Sequence, residues 1–387
     1  MSQDIRDFVP EPCDLLALGE PTHQEPAFGA VRNVLFAQLV ELGFRSIALE
    51  TDRVAAFAVN DYVLHGTGSL ASVMSEGFSH DFGALDANRG LVAWMREYNR
   101  SRPAQERLTF HGFDAPTENT SAPSPRSYFE YARDYLHIEN LDIAGIAGDD
   151  HRWSRAEAIL DFAMSMGATP EAERLRRIGE DLLTRLYARA PELIARTSRA
   201  EWLRAKTYLD AGLGLLHYHW QAAQPLGQSD RVCLLLTTRD TWMARNLLDI
   251  RSVEAGRGPT MLFAHNLHLQ RNGSAWSLGD MSANWFGAGG IVDSLRIESY
   301  FFIAASLGRS EVLKLGEPEP DTFEGFLQRR ITGWGLIPAA EASPARTRAD
   351  TIPQQGYFPL DQATVDGADA IIHITGSAQP ARSEPRG

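Results

Sequence analysis

What most constrains this chain is a pattern that recurs without being an internal repeat: a short apolar run that ends in an ionisable residue. Leu15 to Leu18 is apolar, stops at Gly19, and gives way to a polar turn with Glu20 and His23 before a helical pattern opens near Pro26. Ser46 to Leu49 ends at Glu50, Leu108 to Phe113 ends at Asp114, and Met261 to Ala264 runs directly into His265-Asn266-Leu267-His268. Runs this short and apolar, bounded by turn residues, read as buried strands. Between them lie helical stripes. Val31, Leu35, Leu39 and Leu42 form one, with Gly43 placed where a helix end wants a left-handed residue. Val54, Phe57, Ala58, Val59 and Tyr62 form a second, ending at the turn His65-Gly66-Thr67-Gly68. Leu91, Val92, Trp94 and Met95 form a third, with Asp86 expected as its cap. Strand and helix alternating at this spacing specify an α/β fold, a mostly parallel sheet flanked by helices.

From about residue 125 the pattern changes. Ser154 with Glu157 fits a capping box, and Thr169-Pro170 is a helix start. Leu175, Ile178, Leu182 and Leu186 then recur at helical spacing, as do Trp202, Leu209, Leu213, Leu216 and Trp220. Residues 125–225 therefore read as a large helical insertion between a first part of the α/β core at 1–124 and a second at 226–376. Residues 377–387, rich in Pro, Ser and Arg, read as a loose tail. Further strands are expected at 291–297, 300–304 and 370–374. The insertion carries Trp153, Tyr187, Trp202, Tyr208 and Trp220, most of them expected in its core. It is larger than a crossover between strands requires, so it is expected to wall or cover the substrate cleft.

Charge and cysteine content remove whole classes of function. A net charge of −13 speaks against nucleic acid as partner and against an anionic membrane surface. No apolar run is long enough to span a bilayer, and the N-terminus lacks a basic segment followed by an apolar one. Cys13 and Cys233 are too few and too far apart for a disulfide framework or a thiolate metal site, and a cytoplasmic protein is expected.

Glu20, His23, Glu50, Asp114, His265 and His268 all fall at or just past the carboxyl ends of expected strands, where open α/β sheets build their sites. A histidine between carboxylates is suited to general-base activation of water. Arg32, on the helix after His23, is positioned to pair with Glu50 or to hold an oxyanion. Blander roles stand beside these. Glu50 and Asp114 are also placed to cap the following helices, and His265 and His268 to form a metal pair. His217 and His219 fall in a helical pattern and read as surface or packing residues, His111 reads as structural, and His373 fits either role. The chain has no Gly-x-Ser-x-Gly elbow, phosphate-binding loop or His-Glu-x-x-His, so attack by activated water is favoured over an acyl-enzyme.

Several of these segments, in order, resemble the erythromycin esterase family. They are Gly-Glu-Pro-Thr-His at 19–23, Arg32, Gly43-Phe44, Glu50, Asn60-Asp61-Tyr62 leading to His65-Gly66, and Trp94-Met95-Arg96-Glu97-Tyr98-Asn99. His111-Gly112-Phe113-Asp114, Arg239-Asp240, Met243-Ala244-Arg245-Asn246 and Ala264-His265-Asn266-Leu267-His268 continue the set. The resemblance implies an α/β core with a helical insertion and hydrolysis of a macrolide lactone ester. It implies His23 as general base, with Glu20, Arg32 and Glu50 in the essential cluster, and His265 and His268 lining the cleft, where they would help to position water or stabilise the oxyanion, His265 counted among the catalytic residues. Asp114 and Arg239, with His268, are expected on the substrate side. The family looks metal-independent, and no cofactor is expected. The partner is expected to be a small molecule, a large apolar ester or lactone. Gln24 stands where family members often carry Gly or an aromatic residue, which leaves the substrate open. Two alternatives remain: a biosynthetic enzyme using the same His/Glu site for elimination or cyclisation, and a non-catalytic metal- or ligand-binding protein.

Overall fold

A computed structural model describes residues 2–295, 299–342 and 345–376. In chain order the strands and helices begin with β1 (Leu15–Glu20), α1 (Pro26–Glu41), β2 (Ser46–Asp52), α2 (Ala56–His65), α3 (Leu70–Glu76), α4 (Asp86–Arg100) and β3 (Thr109–Asp114). A helical stretch follows: α5 (Arg126–Tyr135), α6 (Ile143–Ala147), α7 (His151–Ser154), α8 (Glu157–Leu160), α9 (Pro170–Ala188), α10 (Ala190–Arg196), α11 (Arg199–Ala222) and α12 (Gln228–Glu254). The chain then returns to the sheet with β4 (Thr260–His265), α13 (Asn266–Leu269), a hairpin of β5 (Gly273–Leu278) and β6 (Met281–Phe286), and α14 (Ala288–Leu295). It ends with β7 (Tyr300–Leu307), α15 (Phe323–Gln328), β8 (Trp334–Pro338), α16 (Gln362–Gly367) and β9 (Ala370–Ile374).

Seven strands form one sheet in the order β3-β2-β4-β1-β7-β9-β8, parallel throughout except for β8, which runs antiparallel to β9. Alternate residues of each strand serve opposite faces. Leu16, Leu18, Ile47 and Leu49 pack with α1, α2 and α4 on one face, whereas Leu15, Ala17, Ala48 and Leu262 pack with α12, α14 and α15 on the other. Both faces are therefore covered, which is why the central strands are apolar runs without alternation.

This strand order locates the site. From β1 the chain leaves through α1 toward β2, on one side; from β4 it leaves through α14 toward β7, on the other. Neighbouring β1 and β4 thus send their connections apart, and a crevice opens beyond their carboxyl ends. Helices α5, α6, α9, α10 and α11 share a separate core around Phe129, Trp153, Leu182 and Trp202. A smaller cluster joins that unit to the sheet: Ala211, Leu215 and Tyr218 of α11 meet Val54 and Ala115, which follow β2 and β3.

Several sequence-based expectations differ from the structure. Residues 291–295 are helix, not strand, and 296–297 lie outside the described residues, as does the tail at 377–387. The run reads equally as either because short apolar segments carry no decisive period; as a helix it seats Gly289 close against the Leu269 carbonyl. Asp86 is the first residue of α4, with Leu85 in the cap position. Ser154 and Glu157 belong to two separate short helices and form no capping box. Thr169 does cap α9, accepting from the Ala172 N–H, and Gly43 and Gly66 both hold positive φ. Of the insertion's aromatics Trp153 and Trp202 are buried, but Tyr187 and Trp220 are exposed. The β5–β6 hairpin and β8 are additions that the pattern of apolar runs does not single out. Among the described residues no helix is long and apolar enough to cross a membrane.

Candidate active site

The register of the sheet brings Glu20, the last residue of β1, directly beside His265, the last of β4. Glu50 comes from the next strand, β2, and Asp114 ends β3 beyond it. The turn after β1 folds His23 back so that its Nδ1 lies 2.7 Å from Glu20 Oε1, while Nε2 lies 3.7 Å from Glu50 Oε1. With 35% of its side chain exposed, His23 is the member of this group that reaches the cleft; Glu20 and Glu50 are buried behind it. The His23 ring meets Phe82 at 5.1 Å and the edge of His265 at 5.3 Å, centroid to centroid.

Glu50 is the hub. Its Oε2 accepts the His265 backbone N–H at 2.8 Å, and its Oε1 accepts from Arg239 Nη2 at 3.1 Å. His268 Nε2 lies 3.3 Å from the same Oε1. The other side of His268 is held by Asp240, whose two oxygens sit 2.8 and 3.0 Å from Nδ1. Asp240 is itself fixed by Trp285 Nε1 at 2.7 Å and the Ala288 N–H at 2.9 Å. Arg239 reaches Asp114 with two bonds, Nε to Oδ1 at 2.9 Å and Nη2 to Oδ2 at 2.5 Å. His80 adds Nε2 to Asp114 Oδ2 at 3.0 Å.

These neighbours set the charges. Burial works to protonate Glu50, but His268, His23 and Arg239 hold its carboxyl well below the ordinary range. Burial likewise opposes a charge on His268, and Asp240 and Glu50 overcome it, raising the ring to about 10. Asp114 falls to about 2 because Arg239 and His80 outweigh its burial. His265 goes the other way: burial and the nearby His23 push it down to about 3, so it is neutral. Its Nδ1 accepts the Leu267 N–H at 3.2 Å, which leaves the ring proton on Nε2. Burial raises Glu20 despite the contact with His23, and His23 itself is held above the usual histidine value by Glu50 and Glu20 against its own burial.

The erythromycin esterase family matches residues 39–378. The chain belongs to the erythromycin esterase family. Solved structures share its fold across nearly the whole length. A Bacillus cereus protein superposes with a TM-score of 0.70 at 16% identity, covering 96% of this chain and 90% of that one. A succinoglycan biosynthesis protein gives 0.65 at 18% identity, covering 94% and 88%. A mutant of the erythromycin esterase EreC in its open conformation gives 0.65 at 18%, covering 97% and 93%. No curated protein matches the chain.

For this family member, the structure brings Glu20, His23, Glu50, Asp114, Arg239, His265 and His268 together. Arg32 differs from expectation. It does not pair with Glu50: its Nη1 donates to Asn88 Oδ1 at 2.8 Å, its Nε and Nη2 to Asn33 Oδ1, and its guanidinium lies over Phe263. At 1% exposure it supports Glu20 electrostatically from within the core and does not face the cleft. Glu50 and Asp114 do not act as simple helix caps, since each is bonded within the cluster. His111 bonds Glu254 at 2.8 Å, His219 packs in the helical core beneath the Pro123 carbonyl, and His373 is buried between Ser306 and Gln328. Among the described residues no group of three or more His, Cys, Asp or Glu is arranged to hold a metal ion. Sequence reasoning missed Asp240 and His80. Asp240 stands in the sequence as the neighbour of Arg239 in a segment that resembles the family, with no site role attached, and His80 stands in a turn with no strand before it.

Proposed function

We propose that this chain is a hydrolase that opens an ester or lactone, macrolide-like or another natural product, with water activated by His23. The observation that carries the reading is that His23 combines one nitrogen held by Glu20 at 2.7 Å with partial exposure to the cleft. With its Nδ1 proton donated to Glu20, the ring keeps a lone pair on Nε2 that can take a proton from water. The hydroxide equivalent adds to the ester carbonyl, and the imidazolium so formed lies between Glu20 and Glu50, whose charges stabilise it. When the tetrahedral intermediate collapses, the leaving alkoxide takes the proton back from Nε2, giving an acid and an alcohol. His268 and Arg239 supply positive charge behind Glu50, and His265 packs as a neutral ring against His23. Membership of the family supports the reaction class, and water activation is assigned to His23 without a metal.

The test is a panel of esters and lactones, macrolides included, followed by mass. The expected product is substrate plus one water; loss of water or an unchanged mass would favour elimination or cyclisation instead. His23→Ala should keep the fold and lose about a hundredfold to ten-thousandfold in rate. Exhaustive chelation should leave turnover in place. Activity that vanishes on chelation and returns with zinc or manganese would assign water activation to a metal.

A further inference from the structure

The turn between α3 and α4 contains the least expected backbone near the site. His80 and Asp81 both hold φ of 57°, two successive residues with side chains in the left-handed region, where such residues are uncommon. Conformations of this kind persist when the surroundings over-determine them, and here the surroundings are specific. Before the turn, the Ser79 N–H donates to Thr51 Oγ1 at 2.8 Å, and Ser79 Oγ accepts the Asp52 N–H at 2.9 Å, both at the end of β2. At the turn, the His80 N–H donates to Glu118 Oε1 at 3.0 Å. The His80 ring spans two carboxylates: Nδ1 is 2.7 Å from Glu118 Oε2 and Nε2 is 3.0 Å from Asp114 Oδ2. After the turn, Phe82 lies against both histidines, 5.5 Å from the His80 ring and 5.1 Å from that of His23.

We infer that His80 is a positioning residue for the reaction: by clamping the left-handed turn between Asp114 and Glu118 it presses Phe82 onto His23 and so fixes the orientation of the base. This rests on the assignment of His23 as the base made above. His80 Nδ1 faces Glu118, and Nε2 lies 3.0 Å from Asp114 Oδ2 and 3.5 Å from Arg239 Nη2, so both ring nitrogens are engaged by protein groups and neither is turned to substrate or water. Its influence therefore passes through Phe82. Beside the Glu20 and Glu50 carboxylates at its nitrogens, the His23 ring meets the rings of Phe82 and His265. Without Phe82 the imidazole gains freedom to rotate away from Glu20, and its Nε2 loses the alignment that proton transfer requires. Asp114 ties the clamp to the rest of the site, because it also holds Arg239.

The experiment uses the full chain with histidine labelled for NMR and follows the His23 ring resonance and its titration midpoint. His80→Gly removes the clamp while easing the backbone, so a purely conformational role predicts a neutral or stabilising change. The clamp predicts instead that the His23 resonance and midpoint move, that Phe82→Ala moves them in the same way, and that the double variant adds nothing to either single change. Glu118→Gln, a milder change at a half-exposed residue, should give a smaller shift in the same direction and serves if His80→Gly does not fold. With a turned-over ester, His80→Gly should lower kcat roughly tenfold to a hundredfold with KM unchanged, the range expected for misplacing a catalytic group. A His23 signal unmoved by His80→Gly or by Phe82→Ala, or effects that sum in the double variant, overturns the inference. The NMR arm does not need turnover, so absence of any ester hydrolysis in the wild type would count against the proposed function and leave this test standing.

Discussion

His265 and His268 sit three residues apart and are driven in opposite directions, one to about 3 and the other to about 10. Burial opposes charge on both rings; the difference is that His268 has the Asp240 and Glu50 carboxylates on its two nitrogens, whereas neither nitrogen of His265 bonds a carboxylate and its Nδ1 accepts a backbone N–H. His23 feels both influences: burial opposes its charge, and Glu50 and Glu20 favour it. Its pKa is raised from the usual histidine value, so the neutral, active form is populated only above that value. We expect kcat/KM to rise with pH along a limb whose midpoint is above 6.5. Glu20→Gln removes a charge that favours the imidazolium, so it should move that midpoint to lower pH while reducing the plateau rate. A pH–rate profile of both proteins checks this, and a limb that stays in place or moves upward would remove Glu20 from the proposed role.

At the scale of elements, the turn after β4 stitches the sheet together at the site. Asn266 reaches across Gly19 of β1 to β7, donating from Nδ2 to the Ala305 carbonyl at 2.8 Å and accepting the Ala305 N–H on Oδ1 at 3.1 Å. A Cβ on Gly19 would come within 1.9 Å of that Oδ1. Gly19→Ala should therefore cost about 1–3 kcal/mol, the range for overpacking, and should disturb Glu20 next to it; denaturant melts and turnover together measure both effects, and an unchanged melt would show that Asn266 does not need the space. The helical unit makes a different prediction. Since α11 packs on Val54 and Ala115, just past the ends of β2 and β3, the unit is placed to wall the cleft. Exchanging it for that of a relative with a different substrate should alter KM and substrate choice while His23 stays essential. A chimera with unchanged selectivity would count against that role.

For the whole molecule, buried histidines set the response to acid. His219, His265 and His373 are held neutral, at about 4, 3 and 3, chiefly by burial. The unfolded chain protonates each near 6.5, so stability falls as pH drops below that value, by about 2 kcal/mol per residue at pH 5. His268 acts oppositely: its contribution is full below 6.5 and is lost as pH rises toward about 10. Denaturant midpoints measured across this range should peak near neutrality. A midpoint that holds steady from pH 7 to pH 4 would contradict the neutral burial of the three rings.

The sequence by itself determined the strands that carry the chemistry. Each is an apolar run because both faces of a parallel sheet are covered, and each ends in a residue such as Glu20, Glu50, Asp114 or His265 because the carboxyl ends of the strands border the crevice where such sheets build their sites. Those signals are local, and so they are legible along the chain. Partnership is not local. That Glu50 would be the hub for His23, His268 and Arg239 follows from β4 inserting between β1 and β2, an order that no periodicity encodes. The same holds for Arg32, which looks in sequence like a partner for Glu50 but finds Asn33 and Asn88 within reach first. Asp240 lies within a long helix and His80 in a turn, and each gained its place only when packing brought His268 to one and Asp114 to the other. Only the tertiary structure could decide these pairings, because side-chain contacts between distant segments depend on strand order and helix packing and not on the residues adjacent in the chain.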